Sequence, residues 1–288
     1  MPAERFAATA LRAEPATAVA PARTKAGPTE KVRRMALSAG LPLAVFAALV
    51  AAMEGAKRAG WLPITVPAPS EIAGAFDRAA GDLFYHMAPT VLAALVGYAL
   101  AALIAGGMGA VATTWRRAEK PVLNLGIVVD SIPLIALTPI LMVWLGNGLE
   151  SRIVIATIAS LFPMLVGTIQ GFKAVERNAA ELFHVLSAGR WQRLVKLSLP
   201  TALPYLFQAL KIAAPLAVLG ALIAEWVSAE RGLGIMMIYA LFSFDVPLVW
   251  LTIVAVCVLA MLGYALVAVA ERLVIRWDTG GRLDSGGA

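Results

Sequence analysis

Long uncharged apolar runs, separated by short polar stretches, set the pattern of this chain. The runs are Met35 to Met53, Met87 to Trp115, Pro121 to Leu149 broken by Asp130, Ile153 to Phe172, Leu197 to Ala224 broken by Lys211, and Val246 to Ala270. About 20 residues of helix cross a hydrocarbon core, so the pattern predicts six transmembrane helices in an all-α integral membrane protein. Ahead of the second run, Trp61 to Pro69 is punctuated by proline. Ser70 is placed there to cap a short surface helix with Ile72, Phe76, Ala79 and Leu83 on one face. Gly97, Gly106, Gly107 and Gly109 in the second run predict close approach of helix backbones.

Between the fourth and fifth runs lies the longest polar interruption with internal order, Glu181 to Pro200. A short helical run leads to Ser187-Ala188-Gly189, then to Arg190 and Trp191, and leaves through Leu197-Ser198-Leu199-Pro200. Gly189 can supply the positive φ that ends a helix, and Pro200 is expected to keep the next apolar run from extending back into the loop. A short helix of this kind suits docking into a partner's groove. The same residues also fit a basic amphipathic helix on lipid headgroups, with Arg190, Arg193 and Lys196 facing phosphate.

Composition narrows the class. At 60% hydrophobic and 15% charged residues the chain departs from soluble globular composition. Cys257 is the single cysteine, and His86 and His184 stand far apart without ligand-spaced neighbours, so neither a disulfide framework nor metal catalysis finds support. A net charge of +6 raises nucleic acid as a partner, but the basic residues flank the apolar runs, where topology accounts for them. With the N-terminus placed inside, eighteen Lys and Arg fall on the inner side and five on the outer, with Lys211 within the membrane. Both termini and the Glu181 to Pro200 loop are therefore expected in the cytoplasm. Residues 1–34 read as a disordered cytoplasmic tail, 35–86 as the first span with an external amphipathic segment, 87–277 as a core of five spans, and 278–288 as a second tail. A signal peptide ending near Ala51-Ala52-Met53 has an unusually long leading region and a poor cleavage site, which favours a retained first span.

The loop resembles the EAA loop of binding-protein-dependent ABC transporter permeases: Glu-Ala-Ala, three residues, Gly, nine residues, an aliphatic, one residue, Leu-Pro. Glu181, Leu197 and Leu199-Pro200 match it. Leu182 and Phe183 replace the alanines and Ser187 the glycine, which moves the expected pivot of the turn to Gly189. From Leu62 to Trp277 the chain is similar to the sulfonate, taurine and nitrate type of permease. The matching segments are Pro67-Ala68-Pro69-Ser70-Glu71-Ile72, Ile132-Pro133 through Pro139-Ile140 with Trp144 to Gly148, and Ala224-Glu225-Trp226 followed by Gly232-Leu233-Gly234.

This resemblance implies a coupling helix between spans four and five that docks on a separate cytoplasmic ATPase through Glu181, Leu182, Phe183, Leu186, Ser187, Gly189, Arg190, Trp191 and Pro200. It also implies a second permease copy, an extracytoplasmic substrate-binding protein and a bacterial inner-membrane location, with no cofactor on this chain. No G-x-x-x-x-G-K-[ST] sequence occurs, so ATP belongs to the partner and the chain is a transport subunit rather than an enzyme. The expected translocation path includes Asp130, Pro133, Pro139, Lys211 and Glu225. Pro133 and Pro139 interrupt helix bonding beside a cavity or simply kink a packed helix. Lys211 either snorkels to the cytoplasmic face or faces the path, neutralised by Asp130, where it favours an anion. A six-helix secondary transporter or channel without an ATPase is the alternative.

Overall fold

In a computed structural model, residues 28–115, 117–228 and 230–275 are described. The chain divides into two units, Met1–Met53 and Glu54–Ala288. Helix α1, Pro28–Arg58, begins in the first unit and ends in the second. Residues 28–34, expected in the disordered tail, are helical. The remainder of that tail and residues 278–288 lie outside the described residues. Along α1, Leu41, Leu43, Phe46 and Leu49 are exposed, the surface that a helix offers to lipid.

The second unit holds α2 (Pro69–Thr114), α3 (Glu119–Asp130), α4 (Leu134–Leu145) and α5 (Leu149–Lys173). After these come the short α6 (Arg177–Val185) and α7 (Arg190–Arg193), then α8 (Leu199–Ser228), α9 (Leu233–Phe242) and α10 (Val246–Val274). Among the described residues, five helices are long and apolar enough to cross a membrane: α1, α2, α5, α8 and α10. The α3–α4 pair, bent by 92°, adds a sixth if it counts as one span.

Several expectations are corrected. The surface helix and second span form one unbroken 46-residue helix, α2. Pro89 within it removes only one backbone bond, and nothing else between Asp82 and Met87 stops a helix. The cap differs as well. Ala68 is the N-cap residue, with its N–H bonded to the Glu71 carboxylate at 2.9 Å, while Ser70 donates its N–H and hydroxyl to Glu54 at the end of α1. Of the predicted packing face, Leu83 is buried and Ile72 and Ala79 partly so, but Ala75 takes the buried position next to the exposed Phe76. The third run, expected to be interrupted at Asp130 and bent at its prolines, is divided into α3 and α4. Pro133 is the N-cap residue of α4 in extended conformation, whereas Pro139 sits inside α4 without ending it.

The core is α5 held between α2 and α8. A Cβ at Gly97 would lie 2.6 Å from the Ala156 Cβ and 2.8 Å from the Ile153 carbonyl, and one at Gly220 would lie 2.8 Å from both the Ala156 Cα and the Ala159 Cβ. Gly109 rests on Thr168, Gly167 on Ala209 and Gly171 on Ala202. Backbones that approach this closely gain dispersion contacts, which matter where lipid leaves little hydrophobic driving force between helices. A methyl group added at Gly106 or Gly107 would meet nothing within 4 Å, so of the four predicted packing glycines only Gly97 and Gly109 fill that role.

Gly97→Ala is therefore expected to lower stability by about 1–3 kcal/mol through forced separation of α2 and α5. Gly106→Ala should stay within about 1 kcal/mol of wild type or gain slightly from helix propensity. Thermal unfolding of the detergent-solubilised chain measures both, and equal shifts would contradict the packing account.

Candidate functional site

Helix α6 ends in a turn closed by two backbone bonds, Ser187 N–H to His184 O at 2.9 Å and Ala188 N–H to Phe183 O at 3.0 Å. Together they form a Schellman closure, which requires a left-handed residue just after the helix, and Ser187 takes that conformation with φ 54°. The pivot expected at Gly189 is thus at Ser187, the position where the loop pattern has glycine. Gly189 has no positive φ; its N–H donates to the Gln192 side chain at 3.1 Å and its carbonyl accepts from Arg193 N–H. Arg193 Nε closes the turn from the other side on the Ala188 carbonyl at 3.1 Å. A serine in this conformation costs about 1 kcal/mol, and the Gln192 and Arg193 bonds offset it.

Beyond the turn the backbone stays helical into the membrane segment. Leu194–Ser198 winds as a π-helix, with Leu199 N–H bonded to Leu194 O, and α8 follows directly. Pro200 does not stop the run. Its ring would meet the Lys196 carbonyl in a regular α-helix, and the wider winding before it avoids that clash.

No residue of α6 is buried. Leu182, Val185 and Leu186 are exposed at a three-and-four spacing along one face, with Val185 at 82% and Trp191 across the turn at 74%. Glu181 is exposed on the same helix and Phe183 is half-buried. Arg190 opens α7, and its side chain lies outside the described residues. Sequence reasoning overlooks Val185 on this face and the turn-closing roles of Gln192 and Arg193. Val185 is visible as the i+3 partner of Leu182, whereas the other two act only through the folded turn. At the same end of the bundle, Lys173 at the end of α5 is ion-paired with Glu119 at the start of α3.

The remaining expected residues do not converge. Asp130 ends α3 and is exposed. Lys211 on α8 pairs with Glu271 on α10 at 2.7 Å, both largely shielded, which corrects the expected partnership with Asp130. Glu225, near the other end of α8, is fully buried. Its carboxylate accepts from the Thr90 hydroxyl at 2.7 Å and from Gly234 N–H at 2.8 Å. Thr90 in turn accepts from Leu233 N–H at 2.9 Å, and His86 Nδ1 accepts from Gly232 N–H at 3.2 Å. Arg152 donates to the Arg231 carbonyl at 2.9 Å, while the Arg231 guanidinium lies 4.7 Å over the Tyr85 ring. Gly232, at φ 146°, has no space for a side chain beside the Glu225 carboxyl. This knot ties the start of α9 to α2, α5 and α8, so Glu225 positions structure rather than lining open space.

A groove of about 240 Å³ opens between α5 and α8. Its lining includes Phe162, Val166, Gly167 and Gln170 of α5 and Tyr205, Gln208, Ala209 and Ile212 of α8, and Gly167 packs on Ala209 there.

Residues 100–276 match the model of the family described as binding-protein-dependent transport system inner membrane component. The chain is 31% identical over 241 residues to the riboflavin transport system permease protein RibX of Chloroflexus aurantiacus, covering 83% of this chain and 90% of that protein. It is 32% identical over 238 residues to the formylaminopyrimidine transport permease protein ThiX of Halalkalibacterium halodurans, covering 82% and 95%. SsuC of Escherichia coli, whose name refers to aliphatic sulfonates, is 26% identical over 234 residues, covering 80% and 89%. A chain of the MetNI methionine ABC transporter, solved in inward-facing conformations, shares the fold with a TM-score of 0.51 at 21% identity, covering 65% of this chain and 91% of that one.

The chain belongs to the binding-protein-dependent ABC transporter permeases. Members are multi-pass inner-membrane subunits, not enzymes. Their ATPase is a separate chain, and the family implies a substrate-binding protein as a further partner.

Two outcomes test the geometry. Ser187→Gly should raise stability by up to about 1 kcal/mol and Ser187→Val lower it by about 1–2 kcal/mol, while Gly189→Ala stays near neutral. A larger loss at Gly189 than at Ser187 in thermal melts would restore the sequence-derived pivot. Lys211→Met should cost about 1–3 kcal/mol by stranding Glu271, and adding Glu271→Leu should recover most of it. Melting of the single and double variants reads this directly.

Proposed function

We propose that this chain forms, with a second copy of itself, the translocation path of an ATP-driven importer and is driven through α6 by a separate cytoplasmic ATPase. The observation that carries the reading is the α6 face: three large apolar side chains exposed at helical spacing, on a helix whose closing turn is fixed by five hydrogen bonds. An apolar face in this setting suits a groove better than water. A cytoplasmic position for both termini and α6 is supported by an even number of spans, with the α3–α4 pair counted as the third, and by the excess of Lys and Arg at that end.

ATP-driven closure of two ATPases would bring the two α6 helices together and turn the bundle outward. Because α7, just past the α6 turn, runs into α8 through the π-helical segment, movement of the loop reaches the membrane core along a continuous path of helix from Arg190 onward. A transporter or channel working without an ATPase is disfavoured by the family match.

The substrate reading changes in one respect. The expectation of a small anion such as a sulfonate, taurine or nitrate leans partly on a Lys211 charge facing the path, and that charge is neutralised by Glu271. Relatives named for sulfonates and relatives named for nitrogen heterocycles both support a small organic solute.

Leu182→Asp with Leu186→Asp should leave melting unchanged, since both side chains are exposed, yet reduce ATPase recovered with the extracted chain more than tenfold. ATP-dependent uptake in proteoliposomes should fall in parallel. Wild-type chain that purifies without an ATPase and transports without ATP would overturn the proposal.

A further inference from the structure

Ion pairs among the described residues join Glu54 to Arg58, Glu119 to Lys173 and Glu271 to Lys211, and Asp130 is in none of them. No described residue hydrogen-bonds to its exposed carboxylate either. The depth of Asp130 follows from the contacts on both sides of it. One turn earlier, a Cβ at Gly126 would lie 2.8 Å from the Leu165 Cδ2 and 3.2 Å from the Phe162 ring, and Phe162 stands near the midpoint of α5. Just past Asp130, Leu134 packs on the cluster of Leu141, Ile155 and Ala224. Asp130 is therefore about 6 Å along α3 from the level of Phe162, at the 92° break between α3 and α4. A carboxylate at that depth is costly against lipid, and broken helix is tolerated there only within protein or beside water. Among the described residues a second copy brings no free cation to this level, since Lys211 is held by Glu271 at 2.7 Å and Arg152 is buried in the first turn of α5. The break therefore faces an aqueous path.

We infer that Asp130 lines the translocation path and binds the positively charged head of the solute, an ammonium or amidinium group, so that the importer carries a small organic cation. The inference deepens the importer reading and rests on it. The groups beside the carboxylate agree with it in sign. Ser131 donates its hydroxyl to the Ile127 carbonyl at 2.6 Å, which leaves its exposed oxygen to accept. A carboxylate likewise only accepts, so both side chains at the break call for a donor. The end of α3 adds the negative pole of its helix dipole at the same place. The start of α4 opposes this with about half a positive charge, which Asp130 and the α3 pole together exceed. With a second copy the path carries two such carboxylates. A sulfonate or nitrate at this level meets charge of its own sign, whereas an ammonium or amidinium gains charge-assisted hydrogen bonds.

The test uses the intact complex with its ATPase in lipid nanodiscs, with Cys257→Ala removing the single cysteine and Ser131→Cys placing a thiol beside Asp130. Two thiol reagents of similar size are compared, the cationic 2-(trimethylammonio)ethyl and the anionic 2-sulfonatoethyl methanethiosulfonate. Labelling is read from the mass of the chain, with and without ATP. Relative to a free thiol in solution, the cationic reagent should react about tenfold faster than the anionic one, and Asp130→Asn should remove that preference. Propylammonium should at least halve the rate of the cationic reagent, and propanesulfonate should leave it unchanged. Ile127→Cys, one turn back on the same face and exposed, carries the same comparison if Ser131→Cys does not fold. The inference is overturned if neither thiol reacts in either nucleotide state, or if the preference is absent or survives Asp130→Asn. It is also overturned if propylammonium does not compete or propanesulfonate does. In each of these cases ATPase still bound to the wild-type chain leaves the importer reading standing, whereas loss of the ATPase from wild type removes that reading first.

Discussion

Close backbone contact along α5 is the constraint on which the rest of this molecule depends. Gly97 and Gly109 of α2 meet one side of it, and Ala202, Ala209 and Gly220 of α8 meet the other, so three membrane helices share contacts that any added methyl would break. In a bilayer the flanking lipid is as apolar as leucine, and association rests on packing and on hydrogen bonds between helices. Small residues let the packing be close. The bonds then add direction, as where Tyr98 on α2 donates to the Leu210 carbonyl on α8 at 3.0 Å. With these helices fixed, both ends of the bundle acquire defined loops: α6 and its turn join α5 to α8 at one end, and the Glu225 knot secures α9 at the other.

The two ends solve different problems. Around Glu225 the side chains of Thr90 and Arg152 are buried with it, and a fully buried carboxyl is tolerated because Thr90 and Gly234 hydrogen-bond to it while Gly232 leaves it room. At α6 the apolar groups face outward and the polar bonds lie within the turn. The α9 end carries a matching detail. Phe244, 88% exposed, adopts φ 58° in a Schellman closure, with its N–H on Leu241 O and Asp245 N–H on Ala240 O. Non-glycine residues thus hold the left-handed position at both ends, Ser187 at one and Phe244 at the other, and strain of this kind persists only where the surrounding bonds over-determine it.

Much of this is legible in the sequence, and the exceptions share a cause. Apolar runs reveal the spans because hydrocarbon imposes their length, and the loop motif reveals α6 because its residues are contiguous. The continuity of α2 is hidden by a change from amphipathic to fully apolar pattern, which looks like a boundary although no residue there ends a helix. Propensity favours Gly189 over Ser187 as the pivot by about 1 kcal/mol, while the side-chain bonds from Gln192 and Arg193 that decide the matter exist only once the turn is closed. Glu271 lies 60 residues from Lys211, and no periodicity connects them. Long-range polar pairing is where local pattern carries least information.

That last point bears on what the membrane interior can recognise. A lysine within an apolar run invites an electrostatic role, yet a charge already balanced at 2.7 Å has little field left for a passing solute, because the pair presents a dipole rather than a net charge.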